Sequence, residues 1–336
     1  VEPTLATGPN ETTGVVLLNM GGPDSLSAVR PFLARLFLDR ELIPLPASFL
    51  TQPLFAWIVS GIRARKVRGY YEEIGGASPI GKITEAQRAA LEAELSADGG
   101  KVRVYAAMRY WHPLARRVAQ QMREDGVTRV VALPLYPQYF AGTTGSSIND
   151  LRRGMKWAGL RAPVTEVRSY PDDPAWIAAL TEKVTAAIEG IDREGMHLLF
   201  SAHGIPKSFA DGGDPYPGEI ARTVAAVMKS FPGLPHSVSF QSRAGRAEWL
   251  SPDTTAETVR LAGTGVKTLV VVPVAFVSEH IETLHELDIR LKEDAKGAGI
   301  SRFVRVPAVN DSPAFIRALA GIVRRALAGR EKEGTP

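Results

Sequence analysis

Short runs of aliphatic and β-branched residues alternate along this chain with longer stretches whose apolar positions return every three or four residues. The first pattern predicts strands and the second amphipathic helices; their alternation predicts an α/β fold with parallel sheets and covering helices. Eight strands are expected, over Gly14–Asn19, Val102–Ala107, Arg129–Leu135, Pro163–Arg168, Met196–Ser201, Ser237–Gln241, Lys267–Val272 and Arg302–Val306. Between them, DPAWIAALTEKVTAAI sets Trp176, Ile177, Leu180, Val184 and Ile188 on one helix face. The last helical stretch, SPAFIRALAGIVRRAL, opens with Ser312 as N-cap and Pro313 at the first helical position.

The strand ends repeat in order. LLNMGGP (17–23) matches LFSAHGIP (199–206), VVALPLY (130–136) matches VVVPVAF (270–276), and the strands running to Arg109 and Arg243 stand between them in each half. Two copies of one α/β unit explain this, with a seam near Val164–Pro174 and domains at 14–165 and 166–311. Ligands of open parallel sheets bind beyond the carboxyl ends of the strands. A cleft between two such domains would therefore be lined by Met20–Pro23, Arg109–His112, Tyr136–Phe140, Ala202–Pro206, Arg243–Trp249 and Phe276–Glu282.

Composition narrows the chemistry. A length of 336 residues suits two α/β domains, and a net charge of +4 falls short of the basic stripe of a nucleic-acid binder. With no cysteine there is no disulfide, thiolate nucleophile or cysteine-ligated zinc or iron–sulfur centre. The opening VEPTLATGPNETTG lacks the regions of a signal peptide, and no apolar run is long enough for a membrane span. One oily segment, LIPLPASFLTQPLFAWIVSGIRARK (42–66), reads either as a buried loop and helix or as a lip touching a membrane or an apolar ligand.

GGASPIGK has the skeleton of a phosphate loop, but Ile83 stands where Ser or Thr must bind magnesium, and Pro79 removes a cradling N–H. NMGGPD lacks the G-x-G-x-x-G spacing of a dinucleotide site. TTGSS (143–147) reads as an anion site at a helix start or as an ordinary cap. His203, leaving a strand end beside Gly204, is either a satisfied structural histidine or a catalyst. Glu279, Glu282 and Glu286 have i, i+3, i+7 spacing, so on an α-helix they share a face. That face is solvated, or else, crowded into a cleft, its acids hold protons unusually well or bind a cation. Nothing in the pattern forms a closed metal cage, so a metal would pass through rather than stay.

LLNMGGPDSL, FLARLFLD, YEEIGGASPI, MRYWHP, TTGSS, FSAHGIP, GDPYP, QSRAGRAEWL, PVAFVSEHIETLHELDI and NDSP together resemble the ferrochelatase family over nearly the whole chain. The resemblance implies two Rossmann-like domains, each with a four-stranded parallel sheet and with a porphyrin cleft between them, and a C-terminal helix (312–328) packed back on the first. It implies insertion of Fe²⁺ into protoporphyrin IX, the last step of haem synthesis. The sister reading is a chelatase for coproporphyrin III or cobalt, and a rival of another class is a non-catalytic porphyrin- or haem-binding protein. The catalytic pair carries over to His203 and Glu282, with Glu279 and Glu286 extending a cation and proton track that the iron itself would compensate. Met20, Trp249 and Phe276 resemble ring contacts. Arg63, Lys66, Tyr71 and Ser78 resemble propionate holders, and Arg109 and Tyr110 the opposite pocket wall. Iron is expected as substrate, with no resident cofactor and no iron–sulfur cluster. Segment 42–66 resembles the family's hydrophobic lip, so the expected location is cytoplasmic, peripheral at the inner face of the membrane. The expected assembly is a monomer or homodimer. Phe140, Arg290 and Glu279 depart from the family's usual residues, narrowing the pocket and shortening the acidic row.

Overall fold

A computed structural model describes residues 11–43, 45, 47–243 and 247–333. In chain order the elements are β1 (Thr13–Asn19), α1 (Val29–Phe37), α2 (Ser48–Glu73), α3 (Ile80–Ser96), β2 (Val102–Met108), α4 (Ala115–Glu124), β3 (Arg129–Pro134), α5 (Ser146–Ala158) and β4 (Val164–Glu166). There follow α6 (Pro174–Ile188), β5 (Met196–His203), α7 (Lys207–Asp211), α8 (Tyr216–Met228), β6 (His236–Gln241), α9 (Thr254–Gly263) and β7 (Thr268–Pro273). A π-helix (Glu282–Leu291), α10 (Lys292–Gly297), β8 (Arg302–Arg305) and α11 (Pro313–Glu333) complete the chain.

All eight expected strands form, in two four-stranded sheets of order β2-β1-β3-β4 and β6-β5-β7-β8, with every pairing parallel. The identical order is the duplication seen in the strand ends. A second shared feature strengthens it. In each copy the third strand ends at a proline, Pro134 or Pro273, and the chain then winds into a π-helical segment, Ala141–Gly145 or Glu282–Leu291.

The chain divides into two compact units. One runs up to Tyr170 and resumes at Asn310; the other spans Pro171–Val309. In the first, β1 is buried throughout and β3 nearly so, and α4 and α5 cover one face through Val118, Met122, Leu151 and Met155. Such double-sided burial is why these strands read as unbroken apolar runs. α11 packs on α3, with Arg324 donating to Asp98 at 2.8 Å and Gln87 to the carbonyl of Asn310 at 2.9 Å. In the second unit, Leu199, Leu269 and Val271 of the sheet close over Leu261, Leu287 and Leu291.

The oily segment resolves in an unexpected way. Gln52, Ala56, Ser60, Ala64 and Tyr71, mostly four residues apart, form the buried side of α2, and most are small or polar. The large apolar residues Phe49, Leu50, Leu54, Trp57, Ile58 and Ile62 point outward, 42% to 77% exposed. The buried-helix reading is thereby corrected; Pro44 and Pro46 of the same segment lie outside the described residues. Among the described residues no helix is long and apolar enough to cross a membrane.

α4 and α5 approach so closely that a Cβ on Gly154 would sit 2.9 Å from the backbone carbonyl of Ala115. Backbone cannot move aside as a flexible side chain can, so Gly154→Ala is expected to destabilise the fold by about 1–3 kcal/mol. A lower urea midpoint at unchanged m-value checks it.

Candidate active site

In an order such as β6-β5-β7-β8, successive connections leave β5 in opposite directions, and the loops after β5 and β7 part to leave a crevice. His203 is the last residue of β5 and pairs in register with Gln241, the last of β6. Glu282 opens the π-helix that follows β7. The switch point of the second unit therefore receives a histidine, an amide and a carboxylate from three different strand ends.

These groups are bonded to one another. His203 Nδ1 lies 2.8 Å from Glu282 Oε2. Ser242 Oγ is 3.0 Å from that same oxygen and 2.5 Å from Glu286 Oε2. Gln241 Nε2 donates to the carbonyl of Glu282 at 3.0 Å and to Glu286 at 3.2 Å. The Tyr216 hydroxyl donates to the His203 carbonyl at 3.0 Å, pinning the strand end. A Cβ on Gly204 would stand 2.7 Å from the Gln241 carbonyl, so the close approach of the two strand ends requires glycine there. Phe276 meets the His203 ring edge-on at 6.4 Å, and the Trp249 ring lies 3.5 Å from the same Gly204 Cβ position.

Electrostatics sort the three titratable groups. Burial works to lower the His203 pKa, but the Glu282 carboxylate overrides it and holds the imidazole above its ordinary 6.5. Burial raises Glu282, yet the His203 charge and hydrogen bond prevail and bring it down to about 2. Glu286 goes the other way: burial and the nearby Glu282 charge both push it up. A proton on Glu286 also fits the geometry. Ser242 has a single hydroxyl hydrogen for two carboxylate oxygens, and a protonated Glu286 can donate to Ser242 while Ser242 donates to Glu282. The result is a continuous hydrogen-bonded line, His203–Glu282–Ser242–Glu286.

Several expectations need correction. The glutamates do not form one α-helical ladder, because Glu279 precedes the helical segment and the segment itself is π rather than α. Glu279 is committed elsewhere, to the Arg305 guanidinium and, at 2.9 Å, to the backbone N–H of Ala308. Arg305 also holds Asp288. Within the protein these acids have partners of their own: Arg305 for Glu279, His203 for Glu282, and Ser242 with Gln241 for Glu286. Among the described residues no three His, Asp or Glu side chains gather closely enough to hold a metal.

The remaining candidates belong to the first unit. Met20 follows β1 half-buried, and Ser78 packs on the same turn, its Cβ 2.6 Å from where Gly22 would carry one. Arg63 and Lys66 are exposed on α2. Tyr71 and Tyr110 are interior, 3% and 1% exposed. Tyr110 donates to Asp39 at 2.7 Å, and Arg109 pairs with the same carboxylate at 2.9 Å. Ser146 of TTGSS also donates to Asp39, at 2.5 Å, so it braces this network rather than an anion.

Ser242 and Gln241 were not singled out from the sequence. The one available signal was register, since a strand partner of the His203 strand must bring its own terminal residues alongside. Ser242 also has φ +66°, a conformation non-glycine residues seldom adopt and one concentrated at functional sites.

A family model for ferrochelatase matches residues 12–327. A ferrochelatase from Geotalea uraniireducens is 48% identical over 318 residues, covering 94% of this chain and 98% of that protein. A ferrochelatase from a Synechococcus strain is 48% identical over 320 residues, covering 93% and 92%. Among solved structures, SirB from Bacillus subtilis with Fe³⁺ aligns at TM-score 0.57 and 12% identity, covering 96% of this chain and 98% of that one. The sirohydrochlorin chelatase SirB with cobalt aligns at TM-score 0.54 and 10% identity, covering 96% and 97%. The fold is thus that of proteins with two four-stranded parallel α/β units, shared with the SirB structures. Within that class the chain belongs to the ferrochelatase family, and it is an enzyme of that kind, a metal-chelating lyase.

The pairing makes a signed prediction. The His203 imidazole should titrate above 6.5 in the wild type and lower in Glu282→Gln, where the charge and hydrogen bond that chiefly oppose burial are gone and Glu286 alone still favours the imidazolium. NMR titration of the ring protons reads this directly, and an unchanged midpoint would refute the pairing. Stability follows the same linkage. The His203 contribution is full below pH 6.5 and fades as pH rises through the raised value. The Glu282 contribution is full above 4.5 and fades as pH falls towards about 2.

Proposed function

We propose that the chain inserts Fe²⁺ into protoporphyrin IX to form protohaem, the terminal step of haem synthesis, with His203 and Glu282 as the catalytic pair. The observation that carries this is the 2.8 Å contact between His203 Nδ1 and Glu282 at the switch point of the second unit. With Nδ1–H donated to the carboxylate, the neutral ring keeps its Nε2 lone pair for the proton of a pyrrole N–H. Glu282 thereby fixes the tautomer and steadies the imidazolium that forms, which is the same preference that raises the His203 pKa.

Metal insertion releases two protons from the macrocycle. Nε2 accepts them one at a time; the ionised Glu282 steadies the imidazolium without taking its proton, and the ring gives up the first proton before it takes the second. Ferrous iron enters as a substrate, and the chain, having no cysteine, carries no cysteine-ligated iron–sulfur cluster. Phe276 and Trp249, flanking His203 and Gly204, suit the face of a tetrapyrrole. Exposed cations such as Arg63 and Lys66 suit its propionates. The outward apolar residues of α2 support peripheral contact with a membrane, and a cytoplasmic location at its inner face follows from that reading.

Anaerobic insertion of Fe²⁺ into protoporphyrin, followed by absorbance, tests the assignment. His203→Ala and Glu282→Ala should each lose roughly 10²–10⁴-fold in rate. Full activity in either variant would remove the pair from the mechanism. A strong preference for coproporphyrin III over protoporphyrin in the wild type would instead keep the chemistry and overturn the substrate.

A further inference from the structure

α2 carries more than an oily stripe. At 3.6 residues per turn, Leu50, Leu54, Trp57, Ile58, Gly61, Arg65 and Arg68 fall within about 100° of one another around its axis. The outward face is therefore apolar over its first half and cationic over its second, with Arg65 and Arg68 roughly 5–9 Å along the axis beyond Ile62. Arg63 and Lys66 project from the other side, more than about 120° from the centre of this face.

The cationic end is shaped as well as charged. A recess of about 430 Å³ lies there, walled by Leu26, Ser27 and Arg30 on one side and by Arg65 and Arg68 on the other, with Glu72 at its end. Arg30 comes from α1, and its guanidinium reaches over α2 to within 3.8 Å of where Gly61 would carry a Cβ. Among the described residues, no ion pair engages Arg30, Arg65 or Arg68. Elsewhere in the chain, arginines near acids are paired with them, as Arg109 is with Asp39 and Arg324 with Asp98.

We propose that Arg30, Arg65 and Arg68 form a binding site for the phosphate headgroup of an anionic phospholipid, aligned with the apolar face of α2 so that one helix reads both layers of a membrane surface. This inference rests on the membrane reading given above and specifies which lipid the surface selects. Three unpaired guanidiniums around a recess suit phosphate oxygens, and apolar side chains on the same face suit the acyl boundary beside them.

The test is co-sedimentation of the full chain with phosphatidylcholine vesicles, with and without phosphatidylglycerol. Wild type should bind both and prefer the anionic ones. The double variant Arg65→Gln/Arg68→Gln should lose roughly fivefold in anionic partitioning for each arginine, or about 25-fold together, while its binding to neutral vesicles is unchanged. Both side chains are exposed, so insertion of iron into a water-soluble porphyrin should proceed at the wild-type rate and show the variant folded. If the variant keeps the full anionic preference, the headgroup site is overturned and the membrane reading survives. Should wild type bind neither vesicle, both fall. If the wild-type chain binds inorganic phosphate through these arginines yet partitions no better to anionic than to neutral vesicles, the recess is a free-anion site and the lipid assignment is overturned.

Discussion

A carboxylate placed where a buried strand leaves its sheet has lost part of its water and must find a counter-charge or hydrogen-bond donors in the protein. That constraint organises the second unit. Glu279 finds Arg305, Glu286 finds Ser242 and Gln241, and Glu282 finds His203. Of these partners only His203 can exchange its proton near neutral pH. Arginine stays charged, and serine and glutamine stay neutral. The compensation is thus fixed at Glu279 and adjustable at Glu282. A protonation change on the imidazole alters the charge balance of Glu282 directly and of Glu286 through Ser242. The three acids differ in role because their partners differ in chemistry.

The duplication makes the contrast sharper. Aligning the Gly-x-Pro turns puts Met20 where the second copy has His203, and strand register then sets Arg109 opposite Gln241 and Tyr110 opposite Ser242. The first copy closes its own strand ends with Asp39, Arg109, Tyr110 and Ser146, a set in which no side chain ordinarily titrates near neutrality. One topology has therefore produced two kinds of strand end. In one a cation and hydroxyls hold an acid permanently, and in the other an imidazole holds an acid conditionally. The repeat seen in the sequence matched Arg109 with Arg243; register shows the true offset, since apolar strands align almost equally well when slid by two residues.

What could be read from the chain beforehand follows from which interactions are local. The central strands β1, β3, β5 and β7 were legible because parallel strands covered on both sides need unbroken apolar runs, and the half-buried outer strands by their β-branched residues and their place between helices. His203 was legible because it ends such a run, and Glu282 because its acidic spacing begins in the turn that follows one. The Asp39 network was not, since Asp39 and Ser146 are joined across 107 residues. Nor was the partnership of Glu279 with Arg305, which depends on β8 lying beside β7. The π-helix was hidden for a different reason. Its sequence satisfies an α-helical period well enough that the wider turn shows only in the backbone hydrogen bonds. α2 misled because its core-facing side is built from alanine, serine and glutamine, inverting the usual assumption that the largest apolar residues face inward.

Three departures from regular structure meet at the site, and together they do one job. Ser242 holds a left-handed backbone conformation, Gly204 leaves no room for a side chain, and the chain after β7 winds more widely than an α-helix. Each is a local cost, and each moves a functional group by an amount regular structure would not allow. Without the Ser242 turn, its hydroxyl would follow the β6 pleat instead of bridging two carboxylates. A side chain at Gly204 would push the ends of β5 and β6 apart and draw His203 away from Gln241. From the wider turn Glu282 and Glu286 both reach the Ser242 hydroxyl, at 3.0 and 2.5 Å. Regular elements position the strand ends to within a residue, and the irregular ones supply the final ångström that turns adjacent acids and an imidazole into one hydrogen-bonded line.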